Sequence, residues 1–234
     1  MKYSVRTSRV LVFIGLLLLY KSNVFAQKQL NFGLTKKQPV ETLPKGKAPF
    51  QTAVEKPRSG KAGEATALGN AIYSLASGWE LTDDMTNVIG SATVFTEAIN
   101  TKDWYDAVVP GTVLTSLVAA GKFPDPYFGL NNMTITDSLC RKDWWYRTTF
   151  ETPKNENGKL AWLCFNGINY KARVWLNGYL LGDIKGAFTR GKFNVTDHLK
   201  TNGRNVLLVQ IMPPHNPGIP DEQSALSGMG KNGG

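Results

Sequence analysis

The stretch FNGINYKARVWLNGYLLGDIKGAF, residues 165–188, decides the fold. Ala172, Val174 and Leu176 alternate with Lys171, Arg173 and Trp175. A period of two with β-branched and aromatic residues predicts a strand with one face in the core. Asn177-Gly178 follows, and then the apolar run from Tyr179 to Ile184 returns. Asn-Gly between two such runs is a strong signal for a two-residue hairpin, because both turn positions need positive φ. Ala, Val and Leu make the core side of this hairpin. Trp175 falls on the outer side with Lys and Arg.

Working outward, the same period recurs. In DWWYRTTFE, Trp144, Tyr146, Thr148 and Phe150 point one way and Trp145, Arg147, Thr149 and Glu151 the other. KLAWLCF, residues 159–165, is apolar on both faces and is expected to be a central strand. VLLVQIM, residues 206–212, is likewise apolar on both faces and expects cover on both sides. YSLASGWELTDD predicts a strand ending near Leu81, and GSATVFTEAI, residues 90–99, a second one. Between them and Trp144, Thr112 can cap a short helix that stops at Gly121, with Pro124 just beyond. About eight short strands, one small helix and many Gly or Pro turns predict an all-β sandwich of the jelly-roll kind.

The N-terminus has a different character. Lys2, Arg6 and Arg9 precede an apolar run from Val10 to Tyr20. That run is shorter than the roughly 20 residues needed to cross a bilayer. With Val24 and Ala26 before Gln27, it reads as a signal peptide over residues 1–26, cut after Ala26, which predicts export and no membrane span after cleavage. Residues 27–68 are rich in Lys, Pro, Gly and Thr without apolar period, and read as a flexible basic linker, with a part lying along the domain as the alternative. The sandwich is then assigned to residues 69–234.

The net charge of +9 is carried by these leading segments, +4 by the leader and +5 by the linker as far as Thr66. From Ala67 onward there are 15 basic and 15 acidic residues, so the globular part lacks the basic face of a nucleic-acid binder. Cys140 and Cys164 have no metal-like neighbours, and His198 and His215 are isolated. No zinc spacing exists, no cofactor motif is found, and the two cysteines are expected to be free thiols.

Several phrases occur in order: VPGTVLTSLVAAGKFPDPYFGLNN, DWWYRTTF, FNGINYKARVWLNGYLLG with GAF, and PPHNPGIPDEQ. Together they resemble the N-terminal, galactose-binding-like sugar-binding domain of family 2 glycoside hydrolases, in the branch of exo-β-D-glucosaminidases and β-mannosidases. The resemblance covers roughly residues 72–234. It implies a jelly roll that packs against an immunoglobulin-like domain and a TIM barrel. It also implies a β-linked oligosaccharide containing glucosamine or mannose as the ligand. The two catalytic glutamates of such enzymes lie in the barrel, and no catalytic residue is assigned here. The β-galactosidase members carry a carboxylate where Gly186 stands in IKGAF. The family continues past a segment like KNGG into further strands, so the sandwich is expected to be C-terminally incomplete, with the strand near Val206–Met212 short of a neighbour.

Candidate sugar-binding residues follow from this resemblance and from the residue types. Asp125, Tyr127, Asn131 and Asn132 in FPDPYFGLNN combine hydrogen-bonding groups with an aromatic face, the mixture a pyranose needs. A purely structural loop, with Tyr127 in a domain interface, is the alternative. Trp175 can stack on a sugar or pack beneath a neighbouring loop. His215 and Glu222 are further candidates. A stand-alone carbohydrate-binding or adhesion module without hydrolase chemistry is the rival reading for the whole chain.

Overall fold

The computed structural model describes residues 49–85, 92–154 and 159–213. The leader, the first part of the linker, His215 and Glu222 lie outside the described residues. The strands are β1 (Thr66–Gly69), β2 (Ile72–Ser74), β3 (Trp79–Thr82), β4 (Tyr105–Ala107) and β5 (Trp144–Glu151). They continue with β6 (Trp162–Phe165), β7 (Lys171–Leu176), β8 (Tyr179–Lys185), β9 (Gly191–Asn194) and β10 (Arg204–Met212). The helix α1 spans Val113–Ala119.

The main sheet has six antiparallel strands in the order β4-β3-β5-β10-β7-β8. A two-stranded ribbon, β6-β9, packs Leu163, Phe165 and Phe193 against its inner face, and β1-β2 form a separate hairpin. The chain folds as an all-β, jelly-roll sandwich, with one short helix among the described residues.

The hairpin expected from residues 165–188 is β7–β8. Asn177 and Gly178 have φ of 51° and 91°. Asn177 also ties the hairpin tip to its neighbour. Its Oδ1 accepts from Val206 N at 2.8 Å, and its Nδ2 donates to Asn205 Oδ1 at 2.8 Å and to the His198 carbonyl at 2.7 Å. Asn205 is itself fully buried and donates to Thr152 Oγ1 at 3.0 Å. Burial demands that such polar groups be paired, and here they are.

Alternation sorts the side chains to two faces. Trp79, Leu81, Trp144, Tyr146, Val174, Leu176, Leu207 and Val209 form the inner core. Trp145 and Leu208 lie on the outer face under Met85, Val94 and Trp104. Each fully buried Leu or Val contributes about 1.5–3 kcal/mol. Helix α1 begins where expected, with Thr112 Oγ1 accepting from Thr115 N at 3.0 Å, and buries Ser116 and Leu117.

Four expectations change. Residues 92–95 form a 3₁₀ turn, not a strand. Val94 is buried against the outer face and the Thr96 carbonyl accepts from Arg147 at 2.9 Å, so the segment serves as a lid over the sheet. KLAWLCF yields β6, which is not central. It pairs with β9 alone among the described strands, leaving Trp162 and Cys164 exposed. β10 has a neighbour on both sides, β5 and β7, and Val206 to Val209 are buried, so the open part of the sandwich lies at β6 and not at β10.

The fourth change concerns residues 49–68, which are docked and not a free linker. Arg58 pairs with Glu80 at 2.6 Å and also bonds the Thr101 carbonyl, while Lys56 N donates to the Ala120 carbonyl at 2.9 Å. Arg204 donates to the Gly63 carbonyl at 2.8 Å. A Cβ at Gly63 would collide with Thr148 and Thr149, so only glycine lets the arm lie this close to β5. Residues 49–68 thus pack on the sandwich.

Candidate functional site

An open cleft of about 1660 Å³ lies against the inner face. Its walls include Trp79, Trp144 and Tyr146 of the main sheet, Leu163 and Phe165 of the ribbon, and Val113, Leu114 and Val118 of α1. Burial pushes the Tyr146 phenol up to about 12, and its hydrogen bond with Ser116 acts in the opposite direction.

The loop between α1 and β5 brings polar groups to this apolar space. Asp125 Oδ1 accepts from Tyr127 N at 2.9 Å, an Asx turn that sets the loop's path. Tyr127 is 93% exposed. Asn132 lines the cleft, and its Oδ1 is buried without a hydrogen-bond partner among the described residues. Asn131 is fully buried and works inside the loop. Its Oδ1 accepts from Gln51 N at 2.8 Å and its Nδ2 donates to the Asp125 carbonyl at 2.9 Å.

The structure thus gathers Asp125, Tyr127 and Asn132 at the cleft and withdraws Asn131 from it. Trp175 sits on the opposite face of the main sheet, stacked on Trp145 with ring centroids 5.7 Å apart and planes 26° apart. It is not brought together with the loop residues. Lys142, Asn166, Asn169 and Tyr170 also line the cleft and were not among the sequence candidates. Asn166, Asn169 and Tyr170 stand at the head of the hairpin stretch itself. Their mixture of amides and an aromatic ring was the available signal.

Among the described residues lining the cleft, Asp125 is the single carboxylate. Other carboxylates are held elsewhere. Glu80 lies between Arg58 and Arg147, and Asp183 pairs with Arg173 at 2.9 Å, which holds its carboxyl below the usual range. Retaining glycoside hydrolysis requires two carboxyl groups about 5 Å apart. No group of three His, Cys, Asp or Glu side chains suited to a metal occurs among the described residues. Cys140 and Cys164 are free thiols. No helix among the described residues is long and apolar enough to cross a membrane. The cleft can accept and donate hydrogen bonds beside an exposed aromatic ring.

Comparison with known proteins accords with this architecture. A mannosylglycoprotein endo-β-mannosidase of Lilium longiflorum is 42% identical over 124 residues, covering 51% of this chain and 13% of the relative. An exo-β-D-glucosaminidase of Streptomyces avermitilis is 34% identical over 163 residues, covering 68% of this chain and 17% of the relative. The crystal structure of the exo-chitosanase CsxA of Amycolatopsis orientalis superposes with a TM-score of 0.52 at 26% identity, over 62% of this chain and 17% of that one. The chain thus spans less than a fifth of the length of these relatives. The profile described as glycosyl hydrolase 2 galactose-binding domain-like matches residues 93–230. With more than half of its residues under that profile, the chain belongs to the galactose-binding-like domain family of the family 2 glycosyl hydrolases.

Proposed function

We propose that the chain is the non-catalytic sugar-binding domain of an exported family 2 exo-β-glycosidase acting on β-linked glucosamine or mannose sugars. Residues 1–26 would direct export, and an immunoglobulin-like domain and a TIM barrel would supply the remaining partners. One observation carries the reading. The cleft offers exposed Tyr127, the unfilled acceptor of Asn132 and, among the described residues that line it, one carboxylate, Asp125. That set suits recognition of hydroxyls and a pyranose face, and it lacks the second carboxyl group that hydrolysis requires.

The test uses the purified full chain. It should release no nitrophenol from aryl β-glucosaminide or β-mannoside, while titration calorimetry detects a β-1,4-linked glucosamine or mannose tetramer. Tyr127→Ala should weaken that binding about tenfold, the loss of about 1.4 kcal/mol of ring stacking. Turnover that follows the protein peak through purification would overturn the non-catalytic role. Exposed Leu160, Trp162 and Phe188 favour a second reading, an adhesion or assembly module that meets protein. Reading the DNA past codon 234 for barrel-encoding sequence distinguishes the two.

A further inference from the structure

We infer that the first part of the N-terminal arm, residues 49–56, is a brace that sets the conformation of the cleft loop, with Gln51 and Asn131 as positioning residues; the inference rests on the sugar-binding reading only for its functional consequence. A continuous chain of hydrogen bonds runs from the arm to the exposed ring. Gln51 N donates to Asn131 Oδ1 at 2.8 Å, Asn131 Nδ2 donates to the Asp125 carbonyl at 2.9 Å, and Asp125 Oδ1 accepts from Tyr127 N at 2.9 Å. Leu130 N also donates to the Pro49 carbonyl at 3.4 Å. At the other end of the loop, Lys56 N bonds the Ala120 carbonyl at 2.9 Å and Lys122 pairs with Glu55 at 3.8 Å.

Two glycines record the same contact independently. Gly121 and Gly129 have φ of +76° and +52°, and a Cβ on either would collide with an arm carbonyl, of Val54 and Pro49 respectively. The loop has no strand partner; Phe128 N and Asn131 N bond carbonyls within it, whereas Leu130 N finds its acceptor on the arm. The family profile begins at residue 93, so the loop lies within it and the arm lies outside it.

Hydrogen exchange on the full chain tests the brace. Gln51→Pro removes the donating N–H and should speed exchange at Leu130 and Asn131 at least tenfold, with Leu207 and Val209 of β10 unchanged. Gln51→Ala keeps the N–H and should match the unaltered chain. The brace is overturned if Gln51→Pro leaves Leu130 protected, or if Gln51→Ala releases it equally. Should Gln51→Pro also release β10, Asn131→Ser decides, because its shorter oxygen cannot span to the arm. Leu130 must then be freed with β10 intact, and any other pattern refutes the proposal. Where the tetramers bind, Gln51→Pro should weaken affinity at least fivefold while the melting temperature moves little. Absence of tetramer binding by the unaltered chain would sink the sugar reading and leave the exchange result to judge the brace.

Discussion

On the outer face of the main sheet, Trp145, Leu208 and Trp175 lie beneath irregular chain that contributes Met85, Val94, Phe95 and Trp104. On the inner face, one residue along the same strands, Tyr146, Leu207 and Val209 line a cleft of about 1660 Å³. The outer cover is fastened by charge. Glu80 accepts from Arg147 at 2.9 Å, from Arg58 at 2.6 Å and from Thr101 at 2.7 Å, so strands β3 and β5, the docked segment 49–68 and the chain just before β4 converge on one carboxylate. Arg147 is 5% exposed, and its desolvation is offset by that carboxylate. The inner cover is a two-stranded ribbon, narrower than the six-stranded sheet it faces. One sheet thus has a face closed by irregular chain and ion pairs, and a face left open beside regular strands.

The sharpest way to break this comparison is Glu80→Ala. It leaves Arg147 buried without its carboxylate and should cost about 4 kcal/mol in urea unfolding. A cost below about 1 kcal/mol would mean that the ion pairs do not hold the outer cover. Next come adjacent leucines on β10. Leu208→Ala opens a hole inside a closed cluster and should cost about 4 kcal/mol, whereas Leu207→Ala borders the cleft and should cost about 2.5 kcal/mol. Equal costs would erase the distinction between the faces. The smallest effect is one of pH. Tyr146 is pushed up to about 12 from an ordinary value of 10.0, so its contribution is complete below pH 10 and is lost as pH rises toward the folded value. The unaltered chain should therefore lose about 2 kcal/mol relative to Tyr146→Phe across that range, followed as the difference in their unfolding free energies. A difference that does not vary with pH would place Tyr146 in contact with water from the cleft.

The strands β5, β7, β8 and β10 were legible because their alternation matches a half-buried or fully buried ladder, and α1 because Thr112 and Gly121 mark its ends. The lid at residues 92–95 was misread because its Val94 packs in the cluster around Trp145 and the segment forms no ladder. β6 was misread because an apolar run does not reveal whether a second sheet is wide enough to bury it. The arm hid behind a polar composition, since backbone amides, Arg58 and Gly63 hold it, with no apolar stripe to find. At the site, Asp125, Tyr127 and Asn132 could be read from their loop. Asn131 has the same residue type as Asn132, and only the position of Gln51 separates their roles. For Trp175, which shares a face with Lys171 and Arg173, the sequence left sugar stacking and packing beneath a loop open; it packs, stacked on Trp145 two strands away beside the irregular chain of that face.

The place of β10 has a consequence for biosynthesis. The last strand of the described fold sits third from one edge, between β5 and β7, so those two have no ladder in common until it arrives. A nascent chain emerging from the ribosome can form the β7–β8 hairpin early, but half of the main sheet has nothing to join it to the other half before Met212 is made. Closure of the main sheet should therefore wait until β10 has left the ribosome and be limited by closure of long loops, and a ribosome stalled before residue 204 should hold a chain that trypsin digests throughout.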